Sequence, residues 1–259
     1  MQIIGGGKMG QALLWGLKNS NYDASELVIV DTSSEKRDYI ASEFPGIRVL
    51  ETPIGNVESI IAVKPQFVAE VCDSLDSPIR IISIAAGVPT SRIQSAVGED
   101  VPVLRAMPNT PALVNSGMTC VCKGPYATED DLDWACKILS SVGEVLKVKE
   151  SEMDAVTGMS GSGPAYIFKV AEAMAVAGET VGLSSEVAVK LANRTLIGAA
   201  KLLDEPDADA VELRKAVTTP NGTTEAGINV LEQNSLTQIF TEAVIASTQR
   251  SREIGEDLK

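Results

Sequence analysis

Residues 3–10 read Ile-Ile-Gly-Gly-Gly-Lys-Met-Gly, a run in which Gly5, Gly7 and Gly10 fit the pattern G-x-G-x-x-G. The run follows a β-rich segment and opens a segment of helical period, and Asp31 ends a second strand candidate 21 residues beyond Gly10. In a Rossmann-type unit, Gly5 allows the tight turn, Gly7 lets the backbone approach a pyrophosphate, and the helix N-terminus binds it. The run therefore predicts a dinucleotide site, with an ordinary strand-to-helix turn as the alternative.

Two further segments follow strand candidates whose carboxyl ends should meet at the same edge of a sheet. They read Ala62-Val63-Lys64-Pro65 and Ala85-Ala86-Gly87. We expect both to meet the dinucleotide, with Lys64 near the nicotinamide ribose. An ordinary surface lysine is the alternative for Lys64.

The residues after the second strand bear on the choice between NADH and NADPH. A carboxylate accepts hydrogen bonds from a ribose diol and repels a 2′-phosphate, so Asp31 favours NADH. Hydroxyls and cations that follow it would instead hold that phosphate: Thr32, Ser33, Ser34, Lys36 and Arg37. We expect NADH to be preferred and NADPH also to be usable.

Short β-rich runs alternate with helical stretches over residues 1–152, which predicts an α/β Rossmann-type doubly wound parallel sheet. The strand candidates are Met1–Ile4, Leu27–Val30, Arg48–Leu50, Ser59–Val63, Ile79–Ile84, Val101–Ala106, Met118–Cys122 and Val145–Val148. Patterns of helical period lie between several of them, over Gln11–Leu17, Glu35–Glu43, Phe67–Leu75 and Asp130–Leu139.

After residue 152 the strand-like runs give way to long Ala-rich stretches, so residues 153–259 are expected to form an all-α C-terminal dimerisation domain. Proline suits a first helical turn and serine an N-cap. The longer helices are expected from about Pro164 to Gly178, from Ser184 to about Leu203 and from about Leu236 to Arg252. The domain has few large side chains for an isolated core, and we infer that it packs against a copy of itself.

The composition excludes several kinds of chemistry. The 259 residues include no histidine, which excludes Ser-His-Asp and Cys-His hydrolases, histidine metal sites and histidine acid–base catalysis. With 22 basic and 35 acidic residues, the formal charge of −13 opposes binding to nucleic acid or an anionic membrane. The four cysteines form no C-x-x-C pattern and are interpreted as reduced, structural thiols of a cytoplasmic protein, and no metal site is expected. No apolar run or leader suggests membrane insertion or secretion.

Three further motifs make a specific resemblance. Residues 105–111 read Arg-Ala-Met-Pro-Asn-Thr-Pro, residues 155–166 read Ala-Val-Thr-Gly-Met-Ser-Gly-Ser-Gly-Pro-Ala-Tyr, and residues 219–224 read Thr-Pro-Asn-Gly-Thr-Thr. With the earlier segments they resemble the pyrroline-5-carboxylate reductase family, in unbroken order from Gly5 to about Glu253. The resemblance implies NAD(P)H-dependent reduction of 1-pyrroline-5-carboxylate to L-proline, the last step of proline biosynthesis. It also implies a homodimer interlocked through the helical domain, often assembled into larger rings.

The resemblance and the sequence patterns together indicate which residues form the site. Cofactor contacts would come from Gly5, Gly6, Gly7, Lys8, Met9, Gly10, Asp31, Thr32, Ser33, Ala62, Val63, Lys64, Pro65, Ala85, Ala86, Gly87, Met107, Pro108 and Asn109. Substrate contacts would come from Glu150, Ser160, Gly161, Ser162, Thr219, Gly222, Thr223 and Thr224. Thr224 stands at the position of the family's substrate-contacting threonine and is the expected catalytic residue.

The implied substrate is a cyclic imine bearing a carboxylate. Residues 219–222 form a turn sequence before the helical pattern Glu225–Glu232, so the N–H groups of Gly222, Thr223 and Thr224 would meet the carboxylate at a helix N-terminus. The Thr224 hydroxyl would hydrogen-bond the ring nitrogen. If the imine binds protonated, hydride delivery gives the neutral amine directly, so the reaction needs no histidine.

Two details of these segments carry expectations of their own. Asn221 stands where glycine is commoner in the family, and asparagine tolerates left-handed backbone angles, so we expect the turn to be preserved. Residues 160–164 look like a second helix start that closes over the ligand. For both segments the alternative is an ordinary capped helix.

Two other functions stay open from the residues. β-Hydroxyacid dehydrogenases resemble this layout and carry G-x-x-G-x-G-x-x-x-K. Gly158, Gly161 and Gly163 fit its glycines, but Ile167 occupies the lysine position. The second alternative is a sensor or scaffold that binds NAD(P) without turnover.

Overall fold

The chain is described by a computed structural model over residues 1–20 and 22–257. These residues form one sheet of eight strands in the order β3-β2-β1-β4-β5-β6-β7-β8. The strands are β1 (Gln2–Ile4), β2 (Val28–Val30), β3 (Arg48–Leu50), β4 (Ser59–Ile61), β5 (Ile81–Ser83), β6 (Val103–Met107), β7 (Gly117–Lys123) and β8 (Gly143–Lys147). Each corresponds to a predicted strand, and the Rossmann-type fold class is confirmed.

The α-helices of the described residues are α1 (Lys8–Asn19), α2 (Ser34–Glu43), α3 (Val68–Ser74), α4 (Thr90–Val97), α5 (Glu129–Leu139), α6 (Met153–Val156), α7 (Gly163–Thr180), α8 (Ser185–Leu203), α9 (Ala210–Ala216), α10 (Thr223–Gln233) and α11 (Leu236–Asp257). The predicted cap of α8 is confirmed, since the Ser184 hydroxyl accepts from the Val187 N–H at 3.4 Å. Neither α4 nor α6 is predicted by the sequence patterns. Within the described residues, no helix combines the length and apolarity needed to cross a bilayer.

The sheet departs from the predicted all-parallel arrangement at β7. This strand runs antiparallel to β6, whereas the other neighbouring strands run parallel. Only residues 108–116 connect the two strands, and they contain a 3₁₀ turn over Thr110–Val114. A parallel crossover needs about a dozen residues or more, so this connection is too short for one.

An apolar row crosses one face of the sheet. Its members are paired in register and fully buried: Ile29, Ile3, Ile60, Ile82 and Leu104. Leucines and isoleucines of α1 and α5 pack on this row. On the opposite face Ile61, Ile81 and Val103 pack against α3 and α4. Both faces are therefore covered, as a mainly parallel sheet requires.

The four cysteines are free thiols. Burial raises the pKa of the Cys72 thiol to about 11 and that of Cys122 to about 12. Neither forms an appreciable amount of thiolate near neutral pH, so both act as small apolar side chains.

Arg80 ties the amino ends of β4 and β5 to α5. Its guanidinium donates to Glu58 Oε1 at 3.0 and 2.5 Å and pairs with Asp131 Oδ1 at 3.3 Å. It also lies 4.1 Å from the centroid of the Trp134 ring. Charged hydrogen bonds and a cation–π contact stabilise this corner, which lies at the sheet edge opposite the predicted dinucleotide loop.

The contacts divide the chain into two compact units. The first, the nucleotide unit, contains Met1–Ser162 and Val244–Lys259, and the second, the helical unit, contains Gly163–Ala243. Helix α11 therefore begins in the helical unit and ends in the nucleotide unit. The predicted domain division between residues 152 and 153 stays a prediction. The last two residues of the predicted domain 153–259 lie outside the described residues.

The helical unit has almost no interior of its own. Helices α7 and α8 pack closely, and a Cβ on Gly178 would lie 2.8 Å from the Cβ of Ala188. Among the described residues of this unit, only Ala188 and Ala192 are buried. Large apolar side chains are exposed instead, among them Phe168, Val181, Val217 and Ile239. Such a surface is expected to be covered by another protein surface.

Candidate functional site

The predicted dinucleotide loop leaves β1 in a turn that requires glycine. Gly5 has a φ of +113°, and a Cβ there would lie 2.5 Å from the carbonyl oxygen of Ala62. Its N–H donates to the Val30 carbonyl at 2.7 Å, and a Cβ on Gly10 would collide with the Gly5 carbonyl oxygen. The turn therefore draws the ends of β1, β2 and β4 to one edge of the sheet.

The N-terminus of α1 is open beside Gly7. Gly7 is the N-cap and has no side chain to accept from the first-turn N–H groups, and a Cβ on it would have no atom within 4 Å. Lys8 is exposed in the first turn, whereas Met9 is half-buried and packs against the core. Gln11 Nε2 donates to the Gly6 carbonyl at 2.8 Å. A pyrophosphate fits this place because N–H donors, a cation and free space coincide.

Asp31 ends β2 with its carboxylate bonded to the glycine loop. Oδ2 accepts from the Gly6 N–H at 2.8 Å and from the Lys36 ammonium at 3.2 Å, and Oδ1 accepts from the Ser33 N–H at 2.9 Å. Burial alone would raise the pKa of Asp31, but the hydrogen bonds from Ser33, Gly6 and Lys36 lower it on balance. The ionised carboxylate is therefore partly occupied by hydrogen bonds from the protein itself.

The segment after Asp31 is held by Arg37. Its Nη1 donates to the carbonyls of Asp31 and Thr32 at 3.0 and 2.9 Å, and Nη2 pairs with Glu51 at 3.0 Å. Ser33 is the N-cap of α2. Thr32 and Ser33 thus lie at a helix N-terminus, where N–H dipoles favour a negative group.

The two predicted strand-end segments follow β4 and β5. Lys64 is exposed and precedes the 3₁₀ turn Pro65–Phe67. Gly87 has a φ of +75°, and a Cβ there would lie 2.8 Å from the Ser251 carbonyl oxygen in α11. The segments occupy the carboxyl ends of parallel strands, where open α/β sheets bind ligands, and consist of Ala62, Val63, Lys64, Pro65, Ala85, Ala86 and Gly87.

The end of β6 and the residues that follow it contact predicted substrate residues. Asn109 Oδ1 accepts a backbone N–H of β7 at 2.9 Å, and Nδ2 donates to the Oγ and carbonyl oxygen of Ser160 at 3.3 and 3.4 Å. A Cβ on Gly161 would collide with the Cε atom of Met107. The predicted cofactor segment and the predicted substrate segment are therefore in contact, with the polar atoms of Asn109 already engaged.

Residues 157–161 form a π-turn between α6 and α7. The Ser162 N–H donates to the Thr157 carbonyl at 2.9 Å, and the Ser162 Oγ lies 2.8 Å from the Ser247 Oγ of α11. The predicted helix start is present, since α7 begins at Gly163, but the chain enters it from a π-turn rather than from a loop. Single π-turns inside helices are frequent at functional sites.

Glu150, a predicted substrate contact, accepts two hydrogen bonds from Thr90. Its Oε1 accepts the Thr90 N–H and its Oε2 accepts the Thr90 hydroxyl, both at 2.6 Å. Thr90 is the first residue of α4, whose N-cap Pro89 makes no side-chain cap bond, so Glu150 caps this helix from a distant part of the chain. The sequence does not indicate this pairing, and the substrate contact of Glu150 stays a prediction.

The predicted substrate loop lies at the N-terminus of α10 in the helical unit. Asn221 has a φ of +59°, which confirms its predicted left-handed conformation. Gly222 is the N-cap, but its N–H, one of the three expected to meet the carboxylate, donates to the Thr219 carbonyl at 3.0 Å instead. Thr223 and Thr224 are exposed in the first turn.

Sequence reasoning did not identify Glu225 as part of this loop. Its Oε2 accepts the Asn221 N–H at 2.8 Å, which holds the left-handed residue in place. An acid three residues after a helix N-cap is the signal that would have identified it, because such side chains reach back to the turn.

Apart from Glu150, which contacts Thr90, the predicted site residues fall into three groups. The glycine loop, Asp31–Ser33 and the ends of β4 and β5 form the first, and residues 107–109 with 160–162 form the second, both in the nucleotide unit. The third is the loop at residues 219–224 of the helical unit. Over residues 1–20 and 22–257, no three or more Cys, Asp or Glu side chains are arranged to hold a metal ion.

Both ends of the chain match family models. Residues 150–254 match the model described as pyrroline-5-carboxylate reductase dimerisation, and residues 1–87 match the one described as NADP oxidoreductase, coenzyme F420-dependent. The chain is 38% identical over 265 residues to a pyrroline-5-carboxylate reductase of Pseudomonas aeruginosa, covering 99% of this chain and 97% of that protein.

Solved structures show the same likeness. The structure of a pyrroline-5-carboxylate reductase from Coxiella burnetii has a TM-score of 0.87 at 33% identity, covering 98% of this chain and 97% of that one. The Plasmodium falciparum pyrroline carboxylate reductase with NADP bound has a TM-score of 0.83 at 26% identity, with coverages of 98% and 97%.

Gly7→Ala is expected to weaken NADH binding while leaving the fold intact. The added methyl group meets no protein atom, but it stands at the N-cap of α1, where we expect the pyrophosphate to bind. We expect the Kd for NADH to rise about 10-fold, and the free energy of unfolding to change by less than about 1 kcal/mol. Fluorescence titration and urea unfolding measure the two quantities.

Gly10→Ala is the matched control. Its methyl group collides with the Gly5 carbonyl oxygen, so we expect the free energy of unfolding to fall by about 1–3 kcal/mol. Unchanged NADH affinity in Gly7→Ala would contradict pyrophosphate binding at this helix N-terminus.

Proposed function

The chain belongs to the pyrroline-5-carboxylate reductase family and reduces 1-pyrroline-5-carboxylate to L-proline with NAD(P)H, and we propose the residues that do so. In this proposal the glycine loop binds the dinucleotide. The α10 N-terminus and Thr224 bind the substrate. We also propose that residues 160–162 contact the substrate.

The observation that supports the substrate site best is the exposed N-terminus of α10. Asn221 turns the chain through a left-handed conformation, and Gly222, as the N-cap, has no side chain to accept from the first-turn N–H groups. These groups and the helix dipole suit the carboxylate of the substrate without any arginine. The oxygen of the exposed Thr224 hydroxyl accepts a hydrogen bond from the protonated ring nitrogen.

The reaction requires no proton transfer by a side chain during the hydride step. When bound, NAD(P)H supplies the hydride that adds to the carbon of the C=N bond. The residues of the chain hold the imine in one orientation, and such positioning lowers a barrier substantially. No side chain has to take up or release a proton in this step, which fits a chain without histidine.

Alcohol dehydrogenation suits this chain less well. Ile167 occupies the lysine position of the β-hydroxyacid dehydrogenase pattern and is 50% exposed on α7. An alcohol substrate needs a proton acceptor at that step, and isoleucine provides none.

Both NADH and NADPH are proposed as cofactors, with NADH favoured. The Asp31 carboxylate repels a 2′-phosphate, whereas the Lys36 ammonium at 3.2 Å and the N-terminus of α2 reduce that repulsion. The balance of these charges sets the preference.

The helical unit is proposed to form the dimer. Its exposed apolar side chains and nearly absent interior call for a second copy as the covering surface. Assembly of dimers into larger rings is part of the same proposal. A cytoplasmic location is proposed because all four cysteines are free.

Thr224→Ala tests the substrate site. We expect kcat/KM for pyrroline-5-carboxylate to fall 10- to 100-fold, or about 1.4–2.7 kcal/mol of lost transition-state contact. Loss of nicotinamide absorbance measures the rate. Thr180→Ala, at the end of α7 in the same unit, is the control and should keep the rate of the unaltered protein. Unchanged kinetics in Thr224→Ala would remove Thr224 from the site, and no turnover by the unaltered protein with either cofactor would favour a sensor.

Asp31→Asn tests the cofactor preference. Removing this charge should raise the ratio of kcat/KM with NADPH to kcat/KM with NADH by about 3- to 10-fold. Glu35→Gln removes an equal charge from the exposed first turn of α2 and should shift the ratio less. If the unaltered enzyme already has a much higher kcat/KM with NADPH, the preference for NADH is wrong.

Leu191→Glu tests the dimer. Leu191 is 53% exposed on α8, one residue before the buried Ala192, so a charge there leaves the unit's small interior intact. We expect light scattering to show one chain mass instead of two, because the charge would be buried in the dimer. Lys190→Glu introduces the same side chain at the adjacent exposed position and should remain dimeric. A dimeric Leu191→Glu would place the interface elsewhere.

A further inference from the structure

Arg105 is a buried cation that the proposed function leaves unused. It lies on β6, is 4% exposed, and pairs through Nη2 with Asp154 Oδ1 at 3.1 Å. The same Asp154 oxygen accepts from the Ser251 hydroxyl at 2.8 Å. A buried guanidinium is costly unless it is paired, and its neighbours Val103 and Leu104 on β6 are apolar. An apolar side chain at this position would suit the core better. We therefore look for a function of the charge.

The ion pair joins three elements of the nucleotide unit. Arg105 belongs to the sheet, Asp154 to α6 and Ser251 to α11. The π-turn begins three residues after Asp154, and a Cβ on Gly158 within it would collide with Thr248 of α11. The pair therefore ties α6, which leads into the π-turn, and α11, which packs against it, to the sheet.

The same strand touches the π-turn at two further points. Met107 packs against Gly161, and Asn109 donates to Ser160 at 3.3 Å. Arg105 and Met107 alternate along β6, so they project to the same side of the strand, and Asn109 follows two residues after its end. The end of β6 and the residue Asn109 thus hold the π-turn in place. Arg105 is the only charged residue of the three.

We propose that Arg105 is a positioning residue for the reduction, which through Asp154 sets the π-turn carrying Ser160, Gly161 and Ser162. The inference rests on the proposed function, in which these three residues meet the substrate. Arg105 acts through Asp154 and the turn. A guanidinium suits this task because its planar fork fixes direction as well as distance. A misplacement of about 1 Å at a substrate contact lowers turnover by up to about 100-fold.

Arg105→Met is the first test. Asp154 keeps its hydrogen bond from Ser251 and is partly exposed, so its charge is not stranded in the core. We expect kcat/KM for pyrroline-5-carboxylate to fall about 10- to 100-fold. The Kd for NADH should stay within about 2-fold, because the glycine loop and Asp31 follow β1 and β2, which are not neighbours of β6.

The double variant Arg105→Met/Asp154→Asn separates positioning from stability. It leaves no unpaired charge, so its urea midpoint should equal or exceed that of the single variant. Its kcat/KM should remain as low as that of Arg105→Met, because both changes remove the same link. The double variant also carries the test if the single variant does not fold.

Arg80→Met is the matched control. It removes an arginine that pairs with Glu58 and Asp131 at the opposite edge of the sheet. We expect a lower urea midpoint and a kcat/KM within about 2-fold of the unaltered enzyme.

Three outcomes would overturn the role of Arg105. They are unchanged turnover in the Arg105 variants, an equal loss of NADH affinity, and recovery of turnover together with stability in the double variant. An unaltered protein without imine turnover would instead overturn the proposed function, so the two failures are distinguishable.

Discussion

The crowding of backbone around Gly5 is the constraint on which the nucleotide unit depends. Carbonyl oxygens of Ala62 and of Gly5 itself occupy the places where side chains of Gly5 and Gly10 would lie. This crowding holds the start of α1 against the ends of β1 and β4, and among the glycines of the loop only Gly7 has open space at its Cβ position. The same turn donates the Gly6 N–H to Asp31, so one piece of backbone joins the proposed ribose-binding carboxylate to the proposed phosphate-binding helix N-terminus.

Local patterns predicted what local physics determines. The strands follow from β-rich runs, α8 from its serine cap, and the left-handed Asn221 from the backbone tolerance of asparagine. The glycine loop was predictable because the close approaches that require its glycines involve residues near one another in sequence. The missing histidine was informative for a similar reason, since composition alone removes a proton carrier.

What the sequence did not reveal depends on partners distant along the chain. Thr90 and Glu150 are 60 residues apart, and Arg105 and Asp154 are 49 apart, so no periodicity links them. The antiparallel direction of β7 follows from the short connection before it, and the alternation of strands and helices carries no information on that length. The π-turn lies in a glycine- and serine-rich motif that shows no hydrophobic period, so no sequence pattern predicts it.

The later part of helix α11 belongs to the nucleotide unit, although the helical unit separates it in sequence from the rest of that unit. Thr248, Ser251 and Gly255 approach Gly158, Asp154 and Gly87, so the nucleotide unit cannot finish packing without them. During synthesis the whole helical unit must be translated in between. At roughly 5–20 residues per second that takes several seconds. For this interval the faces around Gly87 and Gly158 lack the helix that packs on them.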